Sequence, residues 1–360
     1  MTSVPKATLR PGYEISQLIK GGWQLAGDHG RVEADRAVDD MGAFARAGIT
    51  TFDCADIYAG VEAMIGRFLA GLAGTDPALR GSIRVHTKFV PDRDSLATIG
   101  LRDVEAVIDR SLARLGAERL DLVQFHWWDY AVPGHVEAIG HLDRLRAAGK
   151  INLIGVTNFD AGHLAGLCDV ADIASAQVQY SLLDNRAAGS FAETARARNV
   201  ALLCYGVLAG GLLTDAWLGR PDPGHGFENR SLVKYRLIVD EFGGWELLQA
   251  LLAALRRVAD RHRADIATIA IRATLDSADV TAAIVGARYA RNLAATLRAF
   301  DLDLTDRDRQ EIDAVLAQRT GPQGPVYGLE RDIGGRHGRI MKYNLGRGDT
   351  DTAPGRGARA

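Results

Sequence analysis

The sequence contains few cysteines, and those present do not form a pattern. Three occur among 360 residues, Cys54, Cys168 and Cys204, an odd number without the spacing of a metal-binding motif. This excludes a scaffold held together by disulfides, and no metal site is predicted. Isolated thiols are typical of a reducing compartment, so we expect a cytoplasmic protein.

Long hydrophobic runs and an excess of charge of one sign are also missing. No apolar stretch approaches the roughly 20 residues that a membrane-spanning helix needs. The first residues, MTSVPKATLRPGYE, do not have the basic and apolar regions of a secretory signal. Lys and Arg number 43 against 45 Asp and Glu, a formal net charge of −2, so no overall field attracts nucleic acid or anionic lipid. We therefore expect a soluble protein with neither partner.

The sequence does contain an alternation of short apolar runs and amphipathic helical stretches. Near-continuous apolar runs are typical of strands that are covered on both faces. The helical stretches end in glycine, as helices commonly do. Strands are predicted at 18–22, 49–53, 83–89, 120–126, 152–158, 175–181, 201–207 and 281–287. Eight consecutive strand–helix units predict an α/β fold, a closed (β/α)8 TIM barrel, because an open sheet would leave two unpaired edges.

Three segments depart from this regular spacing, and the first of them precedes the first predicted strand. About 70 residues separate the seventh and eighth strands, which predicts a long insertion with a turn-rich part at 219–230 and two helical stretches. The barrel domain is assigned to residues 1–319. Residues 320–360 are assigned to a C-terminal extension, which we expect to form a pocket loop to about residue 345 and then a mobile tail with little to bury.

Four polar side chains fall at or just after the ends of three consecutive predicted strands. Asp53 ends the second strand, and Tyr58 follows it in the loop. Lys88 lies near the end of the third strand, and His126 ends the fourth. Since catalytic groups of a (β/α)8 barrel lie at the C-terminal ends of its strands, we expect these four side chains to converge.

Together these four residues suit proton donation by a phenol. Tyrosine has a reference pKa of about 10, which is too high for an efficient acid near neutral pH. The Lys88 ammonium group would lower the pKa of Tyr58, and the Asp53 carboxylate would keep Lys88 charged and in place. His126 would hold a carbonyl oxygen and share the proton. Such a set reduces an aldehyde or ketone if another group supplies a hydride.

The stretches around these residues resemble the aldo-keto reductase family, and Asp53, Tyr58, Lys88 and His126 stand at its four catalytic positions. The matching stretches, in order between about residue 8 and about residue 318, are TFDCADIYAGVEAMIG, VHTKF, DLVQFHWWD, LIGVTNFD and AQVQYSLL. The resemblance implies an enzyme, an NAD(P)H-dependent oxidoreductase that interconverts an aldehyde or ketone and its alcohol. Tyr58 would be the general acid and base.

The resemblance also implies that the cofactor lies across the mouth of the barrel, without a glycine-fingerprint fold. In agreement, no G-x-G-x-x-G follows a strand. Thr157, Asn158 and Gln177 would contact the nicotinamide carboxamide, and Tyr205 would stack on the ring. The other residues implied for the ribose, the ring and the diphosphate are Gly21, Gly22, Trp23, Asp53, Val207, Leu208 and Gly210.

The resemblance is weaker after the eighth strand, in VGARYARNLAAT (285–296). Gly286, Arg288, Arg291 and Asn292 would lie at the adenosine end of the cofactor. Ala295 and Thr296 replace the acid and the amide that members of the family place near adenine. Because Arg288 or Arg291 could bind a 2′-phosphate, NADP(H) is the expected cofactor, and NAD(H) stays open.

The substrate is expected to be a small carbonyl or alcohol compound. Its expected contacts are Trp23, Tyr58, His126, Trp127 and Trp128, whose aromatic rings suit sugar faces or planar rings. The C-terminal segment 324–344 either walls this pocket or acts as a surface strap or subunit contact. The oligomeric state is not predicted.

Two other functions are compatible with the same residues. One is a lyase or isomerase in which Lys88 forms a Schiff base, although such a barrel has no evident need for Asn158, Gln177 and Tyr205. The other is a regulatory barrel that holds the nucleotide as a redox sensor, and the intact catalytic residues argue against it.

Overall fold

The computed structural model describes residues 4–26, 32–227, 229–277, 279–286 and 288–346. The strands in these residues are β1 Lys6–Arg10, β2 Tyr13–Ser16, β3 Leu18–Gly21, β4 Thr51–Asp53, β5 Arg84–Phe89, β6 Leu120–Phe125, β7 Ile151–Thr157, β8 Ile173–Gln179, β9 Ala201–Tyr205 and β10 Val280–Gly286.

The α-helices are α1 Ala34–Arg46, α2 Val61–Thr75, α3 Pro77–Ser82, α4 Leu101–Leu115, α5 His135–Ala147, α6 Ala161–Cys168, α7 Ser190–Ala197, α8 Arg230–Phe242, α9 Gly244–Arg261, α10 Ile266–Leu275, α11 Leu293–Leu297, α12 Asp306–Leu316 and α13 Gly328–Arg331. Short 3-10 helices lie at Trp23–Leu25, Arg93–Thr98, Ala209–Gly211, Asp215–Trp217, Ala290–Asn292, Arg298–Phe300 and Gly338–Ile340. None of the helices in the described ranges is both long and apolar enough to cross a membrane.

Strands β3 to β10 form a closed, fully parallel barrel. Each strand pairs with the next along the chain, and β10 pairs with β3 to close the ring. All eight overlap the strands predicted from the sequence, so the predicted (β/α)8 barrel is confirmed.

Both faces of the strands are covered, which is why their sequences read as continuous apolar runs. In β6, for example, five of the six residues are buried and only Asp121 is partly exposed. Leu122 packs with Ile19 and Leu203 in one cluster, whereas Val123 and Phe125 belong to the larger core.

A β-hairpin covers the N-terminal end of the barrel, where no strand is predicted from the sequence. Strands β1 and β2 pair antiparallel across a turn in which Gly12 has a φ of +78°, a conformation that favours glycine. Tyr13 and Ile15 pack against Ile19 and other residues of the barrel strands. This end of the barrel is therefore closed, and a site is left to the opposite, C-terminal end.

The insertion between β9 and β10 adds α8 and α9 before the crossover helix α10, so the predicted insertion is present. These helices bury a second apolar core that includes Phe242, Leu248 and Leu252. The packing brings the start of α8 beside the loop that follows β9, at the C-terminal end of the barrel.

The C-terminal extension lies against the mouth of the barrel. Arg331 donates hydrogen bonds to the carbonyl oxygens of Trp128 (2.8 Å) and Asn158 (2.7 Å). Further along, the Gly346 N–H donates to the Asp92 carboxylate at 2.8 Å. Residues 347–360, nearly all of the predicted mobile tail, lie outside the described residues.

Candidate active site

The structure brings the four predicted catalytic residues together at the C-terminal end of the barrel. Asp53 ends β4, Lys88 lies in β5, and these neighbouring strands are in parallel register. Lys88 Nζ lies 2.8 Å from both carboxylate oxygens of Asp53 and 2.8 Å from the carbonyl oxygen of Cys54. The two side chains of this ion pair are only 5% and 6% exposed. The ammonium group is therefore fixed by three acceptors.

Tyr58 lies beside this ion pair. Its ring centroid is 5.1 Å from Lys88 Nζ and 5.0 Å from the indole ring of Trp23. Removal of the hydroxyl from water raises the pKa of Tyr58 to about 12, although the charge of Lys88 acts in the opposite direction. The lowering effect expected of Lys88 is thus present but smaller than the effect of burial, and the phenol is protonated at neutral pH.

His126 faces the same space in its neutral form. Burial, the Arg331 charge and the Lys88 charge lower the pKa of His126 to about 3. Its Nδ1 lies 3.1 Å from the carbonyl oxygen of Thr157, and a carbonyl can only accept, so we assign the ring proton to Nδ1. Nε2 is buried and has no hydrogen-bond partner among the described residues. It can accept a hydrogen bond but not donate one, which differs from the expectation that His126 holds a carbonyl oxygen.

Two glutamine side chains complete the surroundings of Asp53. Gln177 Nε2 donates to Oδ1 at 2.6 Å, and Gln124 Nε2 donates to the same atom at 3.2 Å. Gln177 was predicted to bind a carboxamide, whereas its amide nitrogen contacts Asp53 here. Gln124 was not predicted, although it precedes His126 by two positions and side chains two apart in a strand share a face. The Asp53 carboxylate is therefore held by Lys88, Gln124 and Gln177.

These groups line a cavity of about 420 Å³. The predicted site residues that line it are Gly21, Trp23, Asp53, Tyr58, Lys88, His126, Trp128, Thr157, Asn158, Gln177, Tyr205, Val207, Leu208, Gly210, Gly286 and Asn292. The Tyr205 hydroxyl donates to Asn158 Oδ1 at 2.9 Å, so two of the residues assigned to the nicotinamide also contact each other.

Four predicted residues do not line the cavity. Trp127 is fully buried in the core, and its Nε1 donates to the carbonyl oxygens of Asp129 and Val132, so it has no surface for a substrate. Gly22 packs against β4, where a Cβ would lie 2.7 Å from the Asp53 carbonyl oxygen. Arg288 is half-buried and Arg291 is exposed, both outside the cavity wall.

One wall of the cavity comes from the start of α8, whose residues were not predicted to belong to the site. Asn229, Arg230, Ser231 and Lys234 all line the cavity. The N-terminus of a helix carries the positive end of its dipole, and Arg230 and Lys234 add charge of the same sign. The place of these residues depends on how the insertion folds back, which the spacing of the sequence does not reveal.

The loop after β9 approaches α8 closely because two of its residues are glycine. Gly206 has a φ of +79°, and a Cβ there would lie 2.2 Å from the Tyr235 hydroxyl. Gly210 has a φ of +66°, and a Cβ there would lie 2.8 Å from the Tyr235 ring. A side chain at either position would push the loop away from the helix and reshape the wall.

The C-terminal extension supplies the opposite wall. Tyr327, Ile340, Met341, Lys342 and Leu345 line the cavity. Tyr327 is 4% exposed, and its ring meets the His126 ring edge-on at a centroid distance of 5.6 Å. It has a φ of +59°, a strained conformation for a residue other than glycine. The predicted pocket loop therefore reaches the cavity.

Buried ion pairs anchor this wall. Glu330 accepts a hydrogen bond from Arg186 Nη1 at 3.0 Å, and both side chains are almost fully buried. Arg186 also donates to Asp184 at 2.8 Å. Lys234 Nζ lies 3.7 Å from Glu330, and burial lowers the pKa of Lys234. The extension is thus joined to the barrel and to α8 at one place.

Among the residues that the structure describes, no group of three or more His, Cys, Asp or Glu side chains could hold a metal ion.

Comparisons with known proteins give the following matches. The model of the Aldo/keto reductase family matches residues 17–317. Aldo-keto reductase YhdN of Bacillus subtilis is 27% identical over 322 residues, which cover 88% of this chain and 95% of that protein. The NADH-specific methylglyoxal reductase of Escherichia coli is 24% identical over 336 residues, 86% of this chain and 96% of that protein. The solved structure of the glycerol dehydrogenase AKR11B4 from Gluconobacter oxydans covers 90% of this chain and 99% of its own, with a TM-score of 0.75 and 24% identity, and shows the same fold.

Proposed function

The chain belongs to the aldo/keto reductase family, and we propose that it interconverts an aldehyde or ketone and the alcohol, with Tyr58 as general acid and base. Members of the family are oxidoreductases that use a nicotinamide cofactor. The observation that carries the proposal is the meeting of Tyr58, the Lys88–Asp53 ion pair and His126 in one cavity.

The residues of the cavity fit a dinucleotide. Gly206 and Gly210 let the loop backbone lie close to the start of α8, where Cβ atoms would fill the space. Arg230 adds positive charge beside the helix N-terminus, which suits a diphosphate. As the resemblance to the family implies, Thr157, Asn158 and Gln177 would hold the nicotinamide carboxamide. The other predicted residues that line the cavity would hold the rest of the cofactor. The bound nicotinamide would supply the hydride.

The residues of this chain would handle the proton. In the reduction direction the protonated Tyr58 hydroxyl would donate its proton to the carbonyl oxygen of the substrate. The resulting phenolate would be stabilised by the Lys88 ammonium group, which the Asp53 carboxylate holds in place. The Nε2 lone pair of His126 would accept a hydrogen bond from the Tyr58 hydroxyl or from the alcohol. In the reverse direction the phenolate would remove the alcohol proton.

NADP(H) is the proposed cofactor because Arg288 and Arg291 follow β10 and could reach a 2′-phosphate. Asn292, next to them, lines the cavity. Either arginine would make a charge-assisted contact with the phosphate. One relative is named an NADH-specific methylglyoxal reductase, so this preference needs its own test.

The surroundings of Lys88 argue against the Schiff-base alternative. A Schiff-base lysine must lose its proton to attack a carbonyl. Burial favours the neutral amine, but Asp53 together with the neighbouring Tyr58 and Cys54 outweighs burial, and the pKa of Lys88 is raised. The ammonium group is also held by three oxygen acceptors.

A cofactor-dependent carbonyl assay tests the proposal. The purified chain should oxidise NADPH at a rate that depends on added aldehyde or ketone, and should form NADPH from NADP⁺ with the matching alcohol. Tight retention of the cofactor without turnover over a broad carbonyl panel would favour the redox-sensor alternative instead. Covalent trapping of a carbonyl compound on Lys88 by borohydride would favour the lyase.

A further inference from the structure

A network of buried polar side chains lies beside the loop that carries Tyr58, between the barrel strands and the outer helices. Its centre is Glu62, in the first turn of α2, whose side chain is 1% exposed. Glu62 accepts a hydrogen bond from the Thr87 hydroxyl at 2.6 Å, and its other carboxylate oxygen lies 3.4 Å from Arg114 Nη1. These three side chains lie outside the cavity wall, so the proton transfer described above does not use them.

Arg114, in the last turn of α4, reaches residues on both sides of Tyr58. The same Nη1 atom that lies near Glu62 donates to the carbonyl oxygen of Asp56 at 3.1 Å. Asp56 comes before Tyr58 in the chain and Glu62 comes after it. The Asp56 carboxylate is buried as well, and the Val90 N–H lies 3.3 Å from each of its oxygens. The loop is therefore held from α4 and from the residue that follows β5.

Helices α2 and α4 pack closely enough for these contacts because residue 66 is glycine. A Cβ at Gly66 would lie 2.3 Å from the Arg114 carbonyl oxygen. Gly66 follows Glu62 by one helical turn, so both lie on the face of α2 that meets α4. A buried carboxylate is costly unless it is paired, and the close packing brings Glu62 the guanidinium group that it needs.

We propose that Arg114 is a positioning residue for the proton transfer: by holding the loop on both sides of Tyr58, it fixes the phenol beside Lys88. This inference rests on the proposed function and adds to it a residue that touches neither substrate nor cofactor. Thr87 is the neighbour of Lys88 in β5, so the bond from Thr87 to Glu62 ties the loop to the strand that carries Lys88. Since a misplacement of about 1 Å can slow a reaction about 10²-fold, such a tie matters for the rate.

Single-turnover kinetics test the proposal. The protein with bound NADPH is mixed rapidly with 4-nitrobenzaldehyde, an electron-poor aldehyde that still accepts a hydride when acid catalysis is weak, and the oxidation of NADPH is followed. Arg114→Met should slow this step about tenfold or more, because methionine cannot donate a hydrogen bond. Arg114→Lys should recover most of the rate, because one ammonium group can donate to both oxygens as Nη1 does. The Kd for NADPH should change by less than about twofold in both variants.

The Tyr58→Phe background separates positioning from a general loss of structure. If Arg114 acts through the Tyr58 hydroxyl, Arg114→Met should slow the residual reaction of Tyr58→Phe by less than about twofold. Amide hydrogen exchange at residues 55–60 should be faster in Arg114→Met than in the parent, because the loop loses a tie. Arg102→Met is the matched control, since Arg102 is exposed on the same helix, and its rate should equal that of the parent.

Glu62→Gln tests the same link from its other end. The variant keeps an acceptor for the Thr87 hydroxyl and removes the charge that holds Arg114. It should slow the single turnover in the parent background and leave the residual rate of Tyr58→Phe within about twofold. This variant decides the matter if Arg114→Met does not fold.

The outcomes separate this inference from the proposed function. A rate within about twofold of the parent in the Arg114 and Glu62 variants would overturn the positioning role and leave carbonyl reduction standing. Equal losses in the parent and Tyr58→Phe backgrounds would do the same, because they would show an effect that does not pass through Tyr58. A parent protein that reduces no aldehyde with NADPH or NADH would overturn the function and the inference together.

Discussion

At the scale of single residues, burial sets the protonation states of the site. It raises the pKa of Tyr58 to about 12 and lowers the pKa of His126 to about 3. At neutral pH the phenol therefore carries its proton and the imidazole is uncharged. An acid and an acceptor lie beside a fixed positive charge on Lys88, as the reduction of a carbonyl group requires.

The proposed preference for NADP(H) also rests on single residues. Replacing both Arg288 and Arg291 with Ala should raise the Kd for NADPH about tenfold or more, because the charge-assisted contact of one of them with the 2′-phosphate contributes about 1.5–3 kcal/mol. The Kd for NADH, which has no 2′-phosphate, should stay within about twofold. Fluorescence titration with both cofactors measures this.

Arg307→Ala serves as the control, because Arg307 is an exposed arginine on α12 and does not line the cavity. Equal losses for NADPH and NADH in the double variant would contradict the assignment. So would a parent protein that already binds NADH more tightly.

The alternation of side chains along a strand explains what the sequence predicted well and what it missed. His126 faces the barrel mouth, so Gln124 shares its face, whereas Trp127 turns to the core. Both facts could have been read from the sequence by counting positions from His126. The contact of Gln177 with Asp53 could not, since it joins residues 124 positions apart.

At the scale of secondary-structure elements, the barrel strands were predictable and the cavity walls were not. A strand such as β6 shows its burial in its own apolar sequence. The start of α8 and the C-terminal extension reach the cavity only through tertiary contacts, such as the ion pair between Arg186 and Glu330, which are 144 positions apart. No local pattern encodes such a pair.

The C-terminal extension is tested by truncation. Removal of all residues after Thr320 should raise KM about tenfold or more, because Tyr327, Met341 and the rest of one wall are lost. It should also lower the free energy of unfolding, because Arg186 loses one of its two buried carboxylate partners, Glu330. Steady-state kinetics and chemical unfolding measure the two effects.

Truncation after Gly346 is the matched control. It removes a stretch with almost nothing to bury and should leave kcat and KM unchanged. If the longer truncation alters stability alone, with KM intact, the extension is a strap and not part of the pocket.

At the scale of the whole molecule, the barrel buries imidazole groups that must stay neutral. His86 is fully buried, and burial with the nearby Lys88 and Arg84 charges lowers its pKa to about 3. Its ring stacks on Tyr13 of the N-terminal hairpin at a centroid distance of 6.3 Å. In the unfolded chain the same group has a pKa near 6.5.

Acid should therefore destabilise the fold. Between pH 6.5 and pH 3 the unfolded chain binds a proton at His86 that the folded chain does not, so the free energy of unfolding falls as the pH falls. Above about pH 6.5, His86 makes its full contribution to the free energy of unfolding. In His86→Leu, the decrease in the free energy of unfolding from pH 6 to pH 5 should be smaller than in the parent by about 1 kcal/mol.

Urea unfolding of both proteins at the two pH values measures this difference. Any loss of stability from a cavity or from strain in the variant is the same at both pH values. It therefore cancels when the pH-dependent change is measured within each protein. Equal decreases in the parent and the variant would show that His86 does not titrate on unfolding.

The central claim is that Tyr58 donates the proton in carbonyl reduction, and the kinetics of Tyr58→Phe test it most directly. We expect kcat for aldehyde reduction to fall by about 10²–10⁴-fold, because the variant loses only the proton donor. The Kd for NADPH should change by less than about twofold. Tyr180→Phe, which removes a hydroxyl near Ser277 outside the cavity, should keep the activity of the parent. A Tyr58→Phe variant that reduces aldehydes within a few-fold of the parent would contradict the account.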